Sequence, residues 1–168
     1  MKLFTNKNSQ KGFTLIELLV VIGILAILLA ITLIAINPAR QFGNANNTAR
    51  RSHVTQVLNS IGAFHAENEG TLPAEILALV VDTPTTLSAA NFPLLCAQLV
   101  PTYIPALPTN PTLNTADIVA AACAVVPPTW ATGYSLSRDV NNRVTVSADT
   151  TDNAAVISVT RWKLPLAN

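Results

Sequence analysis

The feature that most constrains the fold is a predominantly apolar run near the start of the chain, from Phe13 to Ile36, in which Glu17 is the single charged side chain. As a helix rising 1.5 Å per residue, the run would be about 36 Å long, enough to cross a hydrocarbon core of about 30 Å. We therefore predict a membrane-spanning helix. An ionisable side chain at membrane depth is costly and by default functional, with a partner to be identified.

The charges that flank this run predict its orientation. Lys2, Lys7 and Lys11 precede it and no acidic residue does, so the N-terminal end should stay in the cytoplasm and the C-terminal part should be exported. A cleaved secretory signal is the alternative, but it would have a shorter apolar region and a small-residue cleavage site, which is not evident before Pro38. We expect a retained single-pass anchor in a bacterial cytoplasmic membrane.

Beyond the apolar run, the spacing of apolar residues predicts that the helix continues. Asn37 and Pro38 should bend or briefly interrupt it, because proline lacks the backbone N–H and crowds the preceding turn. Gly70 and Pro73 then provide a stop signal. We predict one long helix from about residue 13 to 68, kinked at Pro38, with an amphipathic second half in 37–70. Its apolar stripe consists of Val54, Val57, Leu58, Ile61 and Phe64.

For the arginine and histidine side chains of this second half, we predict ordinary surface or packing roles without a bound ligand. Arg40, Arg50 and Arg51 could contact lipid phosphates, DNA or a neighbouring subunit, but a solvated helix face is the prediction. His53 and His65 are more than three turns apart, too far to share a metal ion without a third element. Because net charge is only +1 and aromatic residues do not alternate with basic ones, we do not expect this subunit alone to bind nucleic acid.

We predict that the remainder, 71–168, forms the loop-rich and β-sheet part of an exported globular head. Three β-prone runs, 133–138, 143–148 and 155–160, are separated by turn-forming residues and should form an antiparallel meander that covers the helix stripe. The periodicity of 77–81 does not decide between helix and strand, and 94–100 predicts a short helix that ends at Pro101. Several prolines between 101 and 128 indicate a long irregular loop.

Two cysteines, Cys96 and Cys123, lie in the exported part. An oxidising compartment favours a disulfide between them, which would stabilise the fold by about 3 kcal/mol. Two free buried thiols are the alternative. Their separation excludes a C-x-x-C redox motif, and no catalytic triad, nucleotide-binding or zinc-protease pattern indicates an enzyme.

The residues around Gly12 resemble a known signal. Lys11 to Ile22 (KGFTLIELLVVI) is similar to the class III signal of type IV pilins and type II secretion pseudopilins, with a short basic leader, a Gly–Phe junction and a glutamate four residues after the phenylalanine. The resemblance implies an α+β, pilin-like fold. It also implies that a membrane-embedded prepilin peptidase removes the leader, 1–12, by cutting between Gly12 and Phe13, and then N-methylates Phe13.

The same resemblance supplies a partner for Glu17. Cleavage creates an α-ammonium at Phe13, one helical turn from the carboxylate, so the pair can form within one subunit. In filaments of this family the carboxylate pairs with the Phe13 ammonium of a neighbour, which selects the axial register. Thr14 either helps to cap the first turn or is a tolerated small polar residue; the sequence leaves both open.

The predicted function is a structural subunit of a type IV pilus or a type II secretion-like pseudopilus, in a filament at the cell surface or in the periplasm. Its expected partners are other copies in a helical homopolymer, minor pilins, the prepilin peptidase, an inner-membrane assembly platform and the lipid bilayer. No cofactor is expected apart from calcium, for which Asp139, Asp149 and Asp152 are candidate ligands by analogy with major pseudopilins. The alternative function is a single-pass extracellular binding module that uses the same anchor and never polymerises.

Overall fold

Two long helices begin the part of the chain that the computed structural model describes, residues 12–161. Helix α1 spans Leu15–Ile36 and helix α2 spans Pro38–Glu67. Helix α1 is long and apolar enough to cross a membrane, by length and composition. Every residue of α1 is exposed among the residues that the structure describes. Lys2, Lys7 and Lys11, in the predicted leader, lie outside the described residues.

The predicted continuous helix is instead two helices, separated at Asn37. Asn37 has a left-handed backbone (φ 46°), and its side-chain oxygen accepts a hydrogen bond from the Arg40 amide at 3.3 Å. Pro38 is the first residue of α2, a position at which its missing N–H costs nothing. Because proline disfavours helical geometry in the residue before it, the interruption falls on Asn37.

Contacts within the chain divide it into two compact units, residues 1–41 and 42–168. We call the second unit the head. The head includes most of α2, whose predicted apolar stripe is confirmed. Val54, Val57, Leu58 and Ile61 are 0–3% exposed, and Phe64 packs against the same core.

The main sheet of the head has four antiparallel strands in the order β1-β4-β5-β6. The predicted meander corresponds to β4 (Ala131–Arg138), β5 (Val144–Ala148) and β6 (Ser158–Thr160). The prediction missed β1 (Thr85–Ser88), which adds to the outer edge of β4. Strand β6 is also shorter than predicted. Asn153 and Ala154 take left-handed backbone conformations, and the Ala155 amide donates to the Asp152 carbonyl, so the turn before the strand extends into the predicted run.

Short elements fill the rest of the head. The ambiguous region 77–81 is neither a helix nor a strand, because the first short helix ends at Leu77 and the following turn leads to an isolated bridge between Val81 and Arg138. The predicted short helix before Pro101 is confirmed. The proline-rich segment carries a two-stranded sheet and two single turns. The bounds are α3 Ala74–Leu77, α4 Leu95–Leu99, β2 Ala106–Leu107, a 3-10 turn Pro111–Leu113, β3 Ile118–Val119 and α5 Ala120–Cys123.

A disulfide between Cys96 and Cys123 joins α4 to α5, as the sequence predicts. Both cysteines are buried in the core cluster with Leu99 and Ile118. The bond closes the proline-rich segment into a loop and attaches it to the main core. Because a closed loop restricts the unfolded chain, it compensates for the small number of apolar residues in this segment.

Candidate functional site

Helix α1 begins with a reciprocal capping arrangement between Thr14 and Glu17. The Thr14 hydroxyl accepts a hydrogen bond from the Glu17 amide at 3.3 Å. The Glu17 carboxylate accepts hydrogen bonds from the Thr14 amide at 2.8 Å and from the Thr14 hydroxyl at 2.7 Å. This is a capping box, which satisfies backbone donors that have no partner at a helix start. Of the two possibilities for Thr14, the structure supports the cap.

The capping box also fixes the start of helix α1, with Thr14 as the residue before its first turn. Thr14 has extended backbone (φ −81°, ψ 151°), so the Gly12–Phe13 peptide bond precedes the helix. Phe13 is 86% exposed. The predicted cleavage bond therefore lies in non-helical, accessible backbone, the form that a protease requires.

The fold itself does not require a glycine at position 12. A Cβ atom built on Gly12 would have no neighbour within 4 Å. A methyl group at this position would therefore meet no obstacle among the described residues. If the position demands glycine, the demand comes from an external partner that approaches the backbone closely.

The Glu17 carboxylate has a local partner and spare capacity. Within residues 12–161, both of its hydrogen bonds go to one oxygen, Oε2, and both come from Thr14. The other oxygen, Oε1, stays available to a second donor. The predicted ammonium partner at Phe13 does not exist in the uncut chain, where that nitrogen is a peptide amide, so the pairing remains a prediction.

A second charged group with several specific partners is Arg50, which the sequence predicted on a solvated face. That prediction was wrong, because Arg50 is 1% exposed. Its guanidinium forms an ion pair with Asp152 at 2.7 Å and donates from Nε to the Asn110 side-chain oxygen at 2.9 Å. It also bonds the Asn47 side chain at 2.8 Å and the Thr112 hydroxyl at 3.3 Å. Arg50 thus joins α2 to two loops far away in sequence.

The loop 149–153 is held on α2 by polar contacts rather than by apolar packing. The Asn47 amide group donates to the Asp152 carbonyl at 2.7 Å and accepts from the Asp152 amide at 3.1 Å. Gly43 lets the loop approach, since a Cβ there would lie 2.9 Å from the Asp152 Cβ and 2.8 Å from the Asn153 side chain. The Arg50 side chain, followed by that of Asn46, holds the pKa of Asp152 below its ordinary value. Apart from the polar run that precedes Arg50, no sequence pattern indicates this network.

The three calcium candidates do not converge. Asp139 lies in the turn between β4 and β5 and forms an ion pair with Arg143. Asp149 follows the opposite end of β5 and accepts a hydrogen bond from Ser135, while Asp152 pairs with Arg50. No group of three or more His, Cys, Asp or Glu side chains within residues 12–161 could hold a metal ion. The geometry of these carboxylates therefore does not favour the calcium prediction.

One predicted histidine takes part in packing under α2. The His53 ring nitrogen Nδ1 lies 2.8 Å from the Tyr134 hydroxyl, and the two rings meet edge to face. Burial raises the pKa of Tyr134 to about 12. His65 is buried on the same helix, and the structure does not bring the two histidines together. Both histidines therefore belong to the packing of α2 against the head.

Comparison with known proteins identifies the N-terminal segment. Residues 7–33 match the family model described as the prokaryotic N-terminal methylation motif, which is the class III prepilin signal of type IV pilins and pseudopilins. No curated protein and no solved structure matches the chain. The match includes Gly12, Phe13 and Glu17 and ends inside α1, so it identifies the signal and does not extend to the head.

Proposed function

We propose that this chain is the precursor of a structural subunit in a filament of the type IV pilus or type II secretion class. The observation that carries the proposal is the methylation motif at residues 7–33, which makes the chain a prepilin-type substrate. Helix α1 supports polymerisation, since all its side chains are exposed in the single subunit. In the membrane, lipid would cover this surface; in a filament, the α1 helices of other copies would replace the lipid.

The first step in the proposal is hydrolysis of the Gly12–Phe13 peptide bond by a prepilin peptidase. Water adds across the amide, which leaves a carboxylate on Gly12 and an amine on Phe13. The amine then attacks the methyl group of a sulfonium methyl donor, which leaves as a neutral thioether while the nitrogen loses a proton. The exposed, non-helical backbone at this bond supports the step. The open space around Gly12 supports it as well, because the glycine would serve the peptidase rather than the fold.

The second step is assembly through Glu17. The Phe13 ammonium that cleavage creates would bind the Glu17 carboxylate of a neighbouring copy. Since the capping box occupies Oε2, the ammonium can bind Oε1 without breaking the cap. A wrongly placed neighbour would leave both charges unpaired in an apolar environment, so the pair would select the axial register.

The proposal also implies a location and a set of partners for the subunit. The precursor would sit in the bacterial cytoplasmic membrane with its N-terminus in the cytoplasm, where the peptidase and an inner-membrane assembly platform act on it. Minor pilins would join other copies of this chain in the filament. Whether the filament is a cell-surface pilus or a periplasmic pseudopilus depends on the machine that assembles it.

Two substitutions at Glu17 test the charge apart from the cap. Glu17→Gln keeps a side chain that can complete the capping box but removes the negative charge, whereas Glu17→Ala removes both. We expect both variants to be cleaved and neither to yield normal filaments. Normal filaments from Glu17→Gln would show that the cap, and not the ion pair, is what assembly needs.

Electron microscopy of sheared filaments separates this function from the alternative of a non-polymerising binding module. An antibody raised against residues 71–168 should label filaments along their length. Cleaved protein that remains in the membrane, with no labelled filament under any assembly condition, would favour the binding module.

A further inference from the structure

A groove at the C-terminal end of α2 combines an apolar floor with an acidic rim. Its volume is about 510 Å³, and Phe64, Leu72 and Leu77 form part of its lining. Glu67 and Glu69 lie at the same groove, both exposed. Within residues 12–161 neither carboxylate belongs to an ion pair. The proximity of the Glu67 carboxylate, followed by partial burial, raises the pKa of Tyr103 above its ordinary value, which is consistent with an acidic rim.

Such a groove has the chemistry to accept an arginine side chain. The aliphatic stem of an arginine can lie on apolar and aromatic surface while its guanidinium stays at the polar edge. Two carboxylates at that edge match a group with several N–H donors in a planar fork. A lysine would match less well, because its ammonium is more strongly hydrated and has no flat surface to stack.

The head presents one arginine that fits this requirement. Arg51 is exposed, and its side chain has no ion pair or hydrogen bond within the described part of the chain. It differs in this respect from its neighbour Arg50, whose guanidinium is fully engaged. Arg51 is therefore a free cation on the same helix whose far end carries the acidic groove.

The positions of the two features on α2 prevent them from meeting within one subunit. Arg51 and Glu67 are sixteen residues apart, which is about 24 Å along the helix and about 160° around it. They thus lie on opposite flanks of the buried stripe. A filament is built from a heterologous contact, in which one surface of each copy binds a different surface of the next. Two complementary features on opposite flanks are what such a contact requires.

We propose that Arg51 of one copy inserts into the groove formed by Phe64, Glu67, Glu69 and Leu77 of a second copy. The proposal rests on the proposed function, since it needs the subunits to polymerise. It names a head contact that is separate from the Glu17 pair in the membrane helix. The contact sets a stagger of about 24 Å between the α2 helices of the two copies.

Charge reversal and exchange test the contact in the full-length, processed subunit. The variants are Arg51→Glu, the pair Glu67→Arg with Glu69→Arg, and all three changes together. Asp82→Arg is the matched control, because Asp82 is an exposed acid of the head outside the groove. The yield of sheared filaments is measured at low and high ionic strength, with cleavage and disulfide formation checked in each variant.

We expect each reversal to lower the filament yield and the combined variant to recover it. An exposed ion pair changes an equilibrium by up to about fivefold, and the loss accumulates because every subunit repeats the contact. Salt should weaken wild-type filaments more than those of Arg51→Ala.

Two outcomes would overturn the inference while leaving the proposed function intact. One is wild-type assembly by all three variants at every ionic strength. The other is a loss with Arg51→Glu that the groove substitutions do not repair, which would assign Arg51 to another ligand such as lipid phosphate. If the wild-type chain itself forms no filament, the proposed function fails together with this contact.

Discussion

Glu17 and Arg50 are charged residues of the two long helices, yet they find their partners in opposite ways. The carboxylate of Glu17 is satisfied by Thr14, three residues away, at an exposed helix start. The guanidinium of Arg50 is buried, and its partners Asn110 and Asp152 are 60 and 102 residues away. The first arrangement leaves an oxygen free for another molecule. The second uses its charge inside the fold and holds the head together.

The difference suggests a division of roles. A locally satisfied charge on an exposed helix is available for assembly. A charge satisfied by distant loops is structural, and its loss should affect folding before any contact with a partner.

The largest effect is expected for Arg50→Met. Removing the guanidinium leaves Asn110 and Asn47 without a buried donor and releases the loop 149–153, so the head should lose about 3 kcal/mol of unfolding free energy. Denaturant unfolding of the full-length chain in detergent, followed by tryptophan fluorescence, measures the loss. Arg51→Met is the matched control and should change stability by less than about 0.5 kcal/mol. Equal effects at both positions would contradict the separate roles of the two arginines.

Removal of the disulfide should have a similar effect by a different mechanism. Cys96→Ser combined with Cys123→Ser opens the loop between α4 and α5 and should destabilise the head by about 3 kcal/mol. The same unfolding assay, run with and without reductant on the wild-type chain, provides the comparison. Insensitivity to reductant would mean that packing alone maintains this segment.

A smaller loss is expected for Gly43→Ala. The added methyl group would meet the Asp152 Cβ at 2.9 Å, so either α2 or the loop must shift, at about 1–3 kcal/mol. Gly23→Ala is the control, since a Cβ at Gly23 has no neighbour within 4 Å. Unfolding of the head should not respond to the control. An unchanged midpoint for Gly43→Ala would mean that the loop is not held as closely as the distances indicate.

The local arrangement in α1 is tested by Thr14→Val, which keeps the shape of the side chain and removes the hydroxyl. Loss of the cap should cost the first turn of α1 about 1 kcal/mol and leave the head unaffected. Amide hydrogen exchange in detergent should show faster exchange near residues 15–18 only. A change that spread into the head would contradict local satisfaction of this helix start.

The least pronounced effect is the acid sensitivity of the head. Because the pKa of Asp152 is lowered in the fold, chiefly by its hydrogen bond with Arg50, the ionised carboxylate stabilises the head above the ordinary aspartate range. That contribution should decline as pH falls through about 4 and below. Asp152→Asn should flatten the pH dependence of the unfolding midpoint. A variant with the same acid dependence as the wild type would assign it to other carboxylates.

Features that depend on residues close together in the sequence could be predicted, and features that depend on residues far apart in the sequence could not. Helix α1, the stripe on α2 and the β4–β5 hairpin were predicted because their patterns repeat within a few residues. Strand β1 was missed because it pairs with β4 across a long separation and an irregular register, Thr86↔Ser135 and then Ser88↔Ala131. Arg50 was placed in solvent because helical spacing shows which residues lie off an apolar stripe and does not show what later folds over them.

The candidate site was predicted more fully than the head because its geometry is local. Gly12, Phe13, Thr14 and Glu17 fall within six positions, and the cap between two of them is a short-range motif. The helix break was expected at Asn37 and Pro38, although not as a complete separation into two helices. The disulfide could be predicted because the chain contains two cysteines, both in the part that the sequence predicts to be exported.

The most direct test of the central claim is the mass of the mature N-terminus in cells that carry a prepilin peptidase. The account predicts a chain that begins at Phe13 and carries one methyl group on its α-nitrogen, and Gly12→Phe should abolish this product. A mature chain that retains residues 1–12, or one cut after α1 as a secretory signal would be, would contradict the account.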